Sequence, residues 1–338
     1  MPRLARLDSP GVLHHVMIRG IERRKIFRDN KDRDNLIERL STILPETNTS
    51  CYAWSLMPNH AHFLFRSGKY GISKVMCRLL TGYALSFNRR YNRHGQLFQN
   101  RYKSIICQED KYLLELVRYI HLNPLRANIV SDISELNKYP YSGHSSLTNN
   151  RNREWQDTGY IMGYFGRNLS KARKGYLEFV ESGIKLGRRP ELVGGGMIRS
   201  LGGWTELKRN PLNGNDRIKS DERILGDSGF VQQILSEAND ELDRRYRLKS
   251  QGYDIEKVEK RVIEVFGVKR DELYSGSRKH AISLARSVFC YWCVRELGES
   301  MTCIAKRMNL TQPAVGYAVD RGEMTVKNSK IQLIMEVF

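Results

Sequence analysis

The sequence predicts a mixed α/β domain built on one sheet, followed by a mostly helical stretch and then a small all-helical domain. Three observations carry this. Strand-like and helix-like periodicities alternate between Val12 and Pro124, the composition turns polar around residues 140–155, and only helical periodicity remains after Asp254. Alternation of this kind suits a single sheet with helices against one face. The expected domains are residues 1–150, a connecting region 151–250 and residues 251–338.

The elements follow in order. Val12 to Arg19 is a β-like run, and Asp32 to Leu44 has helical spacing. Cys51 to Met57 and Ala61 to Phe65 are strand-like and are punctuated by Pro58-Asn59. Ile72 to Tyr91 is expected as helix, Leu97 to Cys107 as strand, and Lys111 to His121 as an amphipathic helix ending near Pro124. The glycines at Gly194–Gly196 and Gly202–Gly203 are expected as linker or turn. Neither GxxxxGK[ST] nor a strand–GxGxxG–helix is present, so no nucleotide-phosphate loop is expected.

The chain of 338 residues carries 56 Lys and Arg against 37 Asp and Glu, a formal charge of +19. Both halves are basic: 23 against 12 over residues 1–150, and 33 against 25 over the rest. Such an excess points to a polyanion as partner. No apolar run reaches the ~18 residues of a membrane span. Six scattered cysteines do not make a disulfide framework, which points to a reducing compartment, the cytoplasm.

Residues 47–108 contain no carboxylate over 62 positions, where the chain average would put about seven. The same stretch holds nine basic residues, among them Arg89, Arg90, Arg93, Arg101 and Lys103. Tyr83, Phe87, Tyr91, Phe98 and Tyr102 are interleaved with them. Cations beside aromatic platforms suit single-stranded nucleic acid, so a phosphate-facing surface is expected here. The competing expectation is a solvated basic surface over core aromatics.

His60-Ala61-His62 lies in the second strand of the Pro58-Asn59 pair. Alternation places His60 and His62 on one face, with Ala61, Phe63 and Phe65 on the other, core-packed face. Two imidazoles on one face can hold a divalent cation if a third ligand comes from elsewhere. In the following helix Leu113, Leu116, Val117 and Ile120 form the apolar side, and Tyr119 and Asn123 stack along its flank. Pro124 disfavours helical geometry at Asn123.

Four ordered segments carry a family resemblance. They are Gly11-Val12-Leu13-His14-His15-Val16 with Arg19-Gly20, then Met57-Pro58-Asn59-His60-Ala61-His62, then Gly95 to Ser104, and Arg118-Tyr119-Ile120-His121-Leu122-Asn123-Pro124-Leu125-Arg126-Ala127. Residues 1–145 resemble the REP-associated tyrosine transposases, relatives of the single-tyrosine transposases of the HUH (His-hydrophobic-His) superfamily. The resemblance implies a ferredoxin-like α+β nuclease domain with an antiparallel sheet, and metal-dependent cleavage and strand transfer on single-stranded or hairpin DNA. It gives Tyr119 the nucleophile role and makes His60, His62 and Asn123 ligands of Mg²⁺ or Mn²⁺. Ala61 departs from the bulky residue usual between the two histidines. Candidate DNA contacts are Arg19, Arg89, Arg90, Arg93, Arg101 and Lys103. The alternative is a DNA-binding regulator with an inactive core, and a replication-type nicking enzyme would share the chemistry.

Near the C-terminus, Thr302 to Met308, a turn at Asn309 to Thr311, and Pro313 to Val319 fit a helix-turn-helix. Ala305 sits at the helix crossing, Val315 points inward, and Thr311 caps the second helix. With Ser283 to Leu297 before it, the module resembles the DNA-binding domain of the replication initiator DnaA. It has Leu310-Thr311-Gln312-Pro313-Ala314 in place of that family's signature. Gln312 and Tyr317 are its candidate DNA contacts, with duplex DNA as partner. Cys290-Tyr291-Trp292-Cys293 lies in a helical run without further ligands, so it is expected as packing rather than zinc or redox chemistry.

Overall fold

The computed structural model describes residues 7–8, 10–68, 70–148, 151–187, 189–196 and 220–333. The expectation for Gly202–Gly203 lies outside these residues. The chain forms two compact units, Met1–Ala238 and Asn239–Phe338. Among the described residues no helix is long and apolar enough to cross a membrane.

In the first unit the elements are β1 (Leu13–Arg19), α1 (Asn30–Glu46), β2 (Ser50–Met57), β3 (His60–Arg66), α2 (Gly71–Arg90), β4 (Lys103–Cys107), α3 (Glu109–His121) and a one-turn α4 (Asn123–Arg126). Short helices follow, then α5 (Leu169–Ser182) and β5 (Ile224–Leu225). The sheet order is β2-β3-β1-β4-β5. The pairs among the first four strands are antiparallel, and β5 joins β4 in parallel.

Helices cover both faces of this sheet rather than one, because the central strands are apolar on both sides. Val16, Ile18, Trp54, Leu56, Ala61, Phe63 and Phe65 pack with α1 and α2. Leu13, Tyr52, Leu64, Ile105 and Cys107 pack with Leu113, Leu116, Val117 and Ile120 of α3 and with Tyr176 and Val180 of α5. Alternation therefore sorts β3 as expected, with Phe63 and Phe65 in the α1/α2 core and the histidines on the α3 side. The strand expected from Leu97 is shorter at its start: Leu97 to Tyr102 is irregular, tied to the sheet by the Gly20–Phe98 bridge. The glycines at 194–196 are more than a linker. A Cβ on Gly195 would sit 2.2 Å from the Ile224 carbonyl oxygen, so only glycine lets this backbone lie against β5.

The second unit is helical. Helix Met301–Met308 ends at Asn309 in the left-handed region (φ 51°), and helix Gln312–Ser329 begins after Thr311, whose hydroxyl accepts from Ala314 N at 3.4 Å. Ala305 and Val315 are both buried, as the helix-turn-helix reading requires. Gly322 has a specific reason: a Cβ there would stand 2.0 Å from the Ser287 carbonyl oxygen in helix His280–Tyr291. Cys290 and Cys293 are buried, free thiols, and burial pushes Cys290 up to about 12.

Candidate active site on the α3 face of the sheet

The sheet order makes β1 and β3 neighbours, and α3 crosses their face. The register sets Met17 opposite His62 and Arg19 opposite His60, so His15 lies diagonally across from His62 on the same face. The rings of His60 and His62 are 5.4 Å apart, and the Tyr119 ring stands edge-on to both His62 (5.8 Å) and His15 (5.9 Å). His60, His62 and Tyr119 therefore meet in one place.

The hydrogen bonds fix which ring nitrogens carry protons. The Leu192 carbonyl, 3.0 Å from His15 Nδ1, can only accept, so Nδ1 of His15 is the donor. His15 Nε2 is then a lone pair and accepts from His62 Nδ1 at 2.9 Å. This leaves Nε2 of His62 as the lone pair. His60 is set in the same way. Its Nδ1 donates to Asn59 Oδ1 at 2.6 Å, while Asn59 Nδ2 donates to the Arg23 carbonyl at 3.1 Å and so fixes the amide's orientation. Both histidines of the pair thus keep Nε2 unprotonated, the state a metal ligand needs.

Electrostatics keep these rings neutral. Burial lowers His15 to about 4, and burial followed by the Arg19 charge lowers His60 to about 4. His62 is driven well down by burial first, then by His15, His60 and Arg19. Tyr119 goes the other way: burial raises its hydroxyl, against the opposing pull of Arg126 and Arg19.

Pro124 ends α3 as its chemistry demands, and Asn123 opens α4 instead of continuing the helix. The backbone still runs on helically, with Arg126 N bonded to the Leu122 carbonyl at 3.0 Å. Asn123 is buried and its Nδ2 has no partner among the described residues. That unsatisfied donor suits an incoming oxygen acceptor such as a phosphate, and a cation would use the amide's Oδ1 instead. Among the described residues no group of three or more His, Cys, Asp or Glu is arranged to hold a metal ion. A cation here would take His60 and His62 from the sheet, with Asn123 and substrate oxygens completing its shell. This mix of nitrogen and oxygen donors fits Mn²⁺ or Mg²⁺.

The basic residues separate. Arg19 lies beside the site and Lys103 Nζ donates to the Val193 carbonyl at 2.6 Å. Arg89 and Arg101 are exposed. Arg90 is committed to Asp29 and Asp32, the latter at 2.6 Å, where it braces the start of α1. Arg93 lines a cavity of about 380 Å³ with Ile21, Arg24, Lys25, Arg28 and Leu97. The aromatic platforms expected between these cations are mostly core instead. Tyr83, Phe87, Phe98 and Tyr102 are buried, and the i,i+4 spacing of Tyr83 and Phe87 puts those two on the inner side of α2. Tyr91 is half-buried and carries the Arg28 guanidinium 4.2 Å from its ring centre. In the second unit Tyr317 is 74% exposed and Gln312 is exposed, so both are available to a partner.

Sequence reasoning missed His15, Arg126 and Leu192 as parts of the site. His15 sits in a quoted strand motif, yet only the β1–β3 register shows that it meets His62.

Comparison with known proteins gives matching results for both regions. Residues 10–123 match the family of IS200-like transposases, and residues 255–321 match the bacterial DnaA protein helix-turn-helix. No curated protein matches the chain. A solved REP-associated tyrosine transposase bound to a REP hairpin aligns over 45% of this chain and 89% of its own, at 16% identity and a TM-score of 0.37. By sequence, the chain joins a region similar to IS200-like transposases to one similar to the DnaA helix-turn-helix.

Proposed function

We propose that this protein cleaves and rejoins single-stranded or hairpin DNA, such as repeated palindromic elements, through a covalent phosphotyrosine at Tyr119. The observation that carries the reading is the placement of Tyr119 against His62, whose ring in turn lies 5.4 Å from that of His60. His60, His62 and Asn123 would hold Mg²⁺ or Mn²⁺, which when bound polarises the scissile phosphate and stabilises charge in the transition state. The Tyr119 oxygen attacks phosphorus, the bond from phosphorus to the 3′ oxygen breaks, and the phenol's proton ends on that oxygen as a free 3′ hydroxyl. The new ester conserves the phosphodiester, so attack by a 3′ hydroxyl reverses the step without a nucleotide cofactor.

DNA binding in this reading comes from Arg19, Arg89, Arg93, Arg101 and Lys103, together with the cavity lined by Arg24, Lys25 and Arg28. Gln312 and Tyr317 would present the helix-turn-helix to duplex DNA. The deciding experiment incubates the full chain with hairpin-containing single-stranded DNA and Mn²⁺. Nuclease and protease digestion should leave a nucleotide on the peptide containing Tyr119. A nucleotide on Tyr102 or Tyr112, or none at any DNA concentration, overturns the proposal.

A further inference from the structure

Arg126 closes α4, seven residues beyond Tyr119 and so two helical turns along the same flank. Its guanidinium carbon lies 5.5 Å from the centre of the Tyr119 ring. Nη2 donates to the Gly183 carbonyl at 3.3 Å. Nε and Nη1 are shielded from solvent and have no hydrogen-bond partner among the described residues. The nearby carboxylates are already used: Glu115 holds Arg118 at 2.6 Å and Arg189 at 3.0 Å, and Glu191 also pairs with Arg189.

A guanidinium cannot escape this situation by losing its proton. Two buried donors on a permanent cation, with no partner among the described residues, are costly to the folded protein. Arg118 and Arg189 add positive potential around it. An anion arriving beside Tyr119 would satisfy the charge and one of these donors. We propose that Arg126 is the phosphate-binding residue of this site, donating through its unpaired Nε–H or Nη1–H to a non-bridging oxygen of the phosphodiester presented to the Tyr119 hydroxyl. A guanidinium, permanently charged and weakly hydrated, suits a buried phosphate contact better than a lysine ammonium would. The same donor would hold the phosphotyrosine diester after transfer. This assignment rests on the reading of Tyr119 as nucleophile.

The test uses the full chain and a hairpin oligonucleotide with unpaired flanks, with one methylphosphonate moved along the unpaired strand. Binding is read by fluorescence anisotropy in chelator, so that no strand is cut. At one linkage, neutralising the phosphate should weaken wild-type binding about tenfold. Arg126→Gln should bind ordinary DNA about tenfold more weakly and lose its sensitivity at that linkage, because the two changes remove one interaction. If the Gln variant does not fold, Arg126→Met, which removes the charge without adding a polar group, carries the same expectation. Wild-type sensitivity kept by the variants at every linkage, or a wild type insensitive at all of them, overturns the assignment. A wild type that shows the coupling yet forms no adduct on Tyr119 with Mn²⁺ keeps the phosphate site and instead overturns the nucleophile.

Discussion

Nε2 of His15 accepts a hydrogen bond from Nδ1 of His62 at 2.9 Å, and this contact decides which nitrogen His62 can offer a metal. The chain of donors runs from His62 through His15 to the Leu192 carbonyl, which can only accept. His15→Phe keeps the ring's bulk and removes both hydrogen bonds. Mn²⁺ affinity, followed by electron paramagnetic resonance, should fall about 10–100-fold, while the thermal midpoint changes little. His15→Gln can still accept from His62 and donate to Leu192, so it should recover part of the affinity. Equal Mn²⁺ binding by all three proteins would show that the relay does not set the ligand.

Tyr119 is half-buried and its hydroxyl is the one group that a phenylalanine lacks. Tyr119→Phe should fold with wild-type stability and bind hairpin DNA with near-unchanged affinity. It should form no covalent protein–DNA species. Without a positioned oxygen nucleophile, strand cleavage should slow by orders of magnitude. Adduct persisting in this variant on denaturing gels would place the nucleophile elsewhere.

Lys25 and Arg28 line the cation-rich cavity, and among the described residues neither has an ion-pair partner. The loop that carries them is clamped to the histidine hairpin, with Ile26 N and Phe27 N bonded to the Pro58 carbonyl. In the proposed function both cations are candidate contacts for a strand entering the site. Replacing both with alanine should lower the salt dependence of single-strand binding by about 1.4 in log–log slope, from ~0.7 per phosphate contact. An unchanged slope would put the DNA path on another face.

Local pattern made much of this readable in advance. The period-2 alternation of β3 placed His60 and His62 against Phe63 and Phe65, and the cap at Thr311 followed from residue type and position alone. What remained hidden depends on partners distant in sequence. His15 and His62 are 47 residues apart, and the Leu192 carbonyl is a further 130 away, so no spacing rule links them. The interleaved aromatics misled for a related reason. Tyr83 and Phe87 have the composition of stacking platforms, but which side of α2 faces the sheet is settled by packing against β1 and β3.

Acid should destabilise the first unit through histidines outside the candidate metal site. His121 and His144 are buried around the Tyr176 hydroxyl, at 2.8 and 2.7 Å from their Nδ1 atoms. His144 Nε2 donates to Asn137 Oδ1 at 2.7 Å, so its Nδ1 accepts from Tyr176, and His121 donates to the same oxygen. Burial lowers His144 from 6.5 to about 3 and drives His121 well below its usual value. Between pH 6.5 and the folded values, the unfolded chain binds protons that the folded chain refuses. Stability is thus fully present above about pH 6.5 and is lost as the pH falls, at ~1.4 kcal/mol per unit for each such histidine. Going from pH 6.5 to 5 should cost about 2 kcal/mol from His144 alone, with His121 adding in the same direction. Denaturant midpoints measured across this range should fall steeply for the wild type and less steeply for His144→Gln. A midpoint flat from pH 7 to pH 5 would mean that these rings are not held neutral.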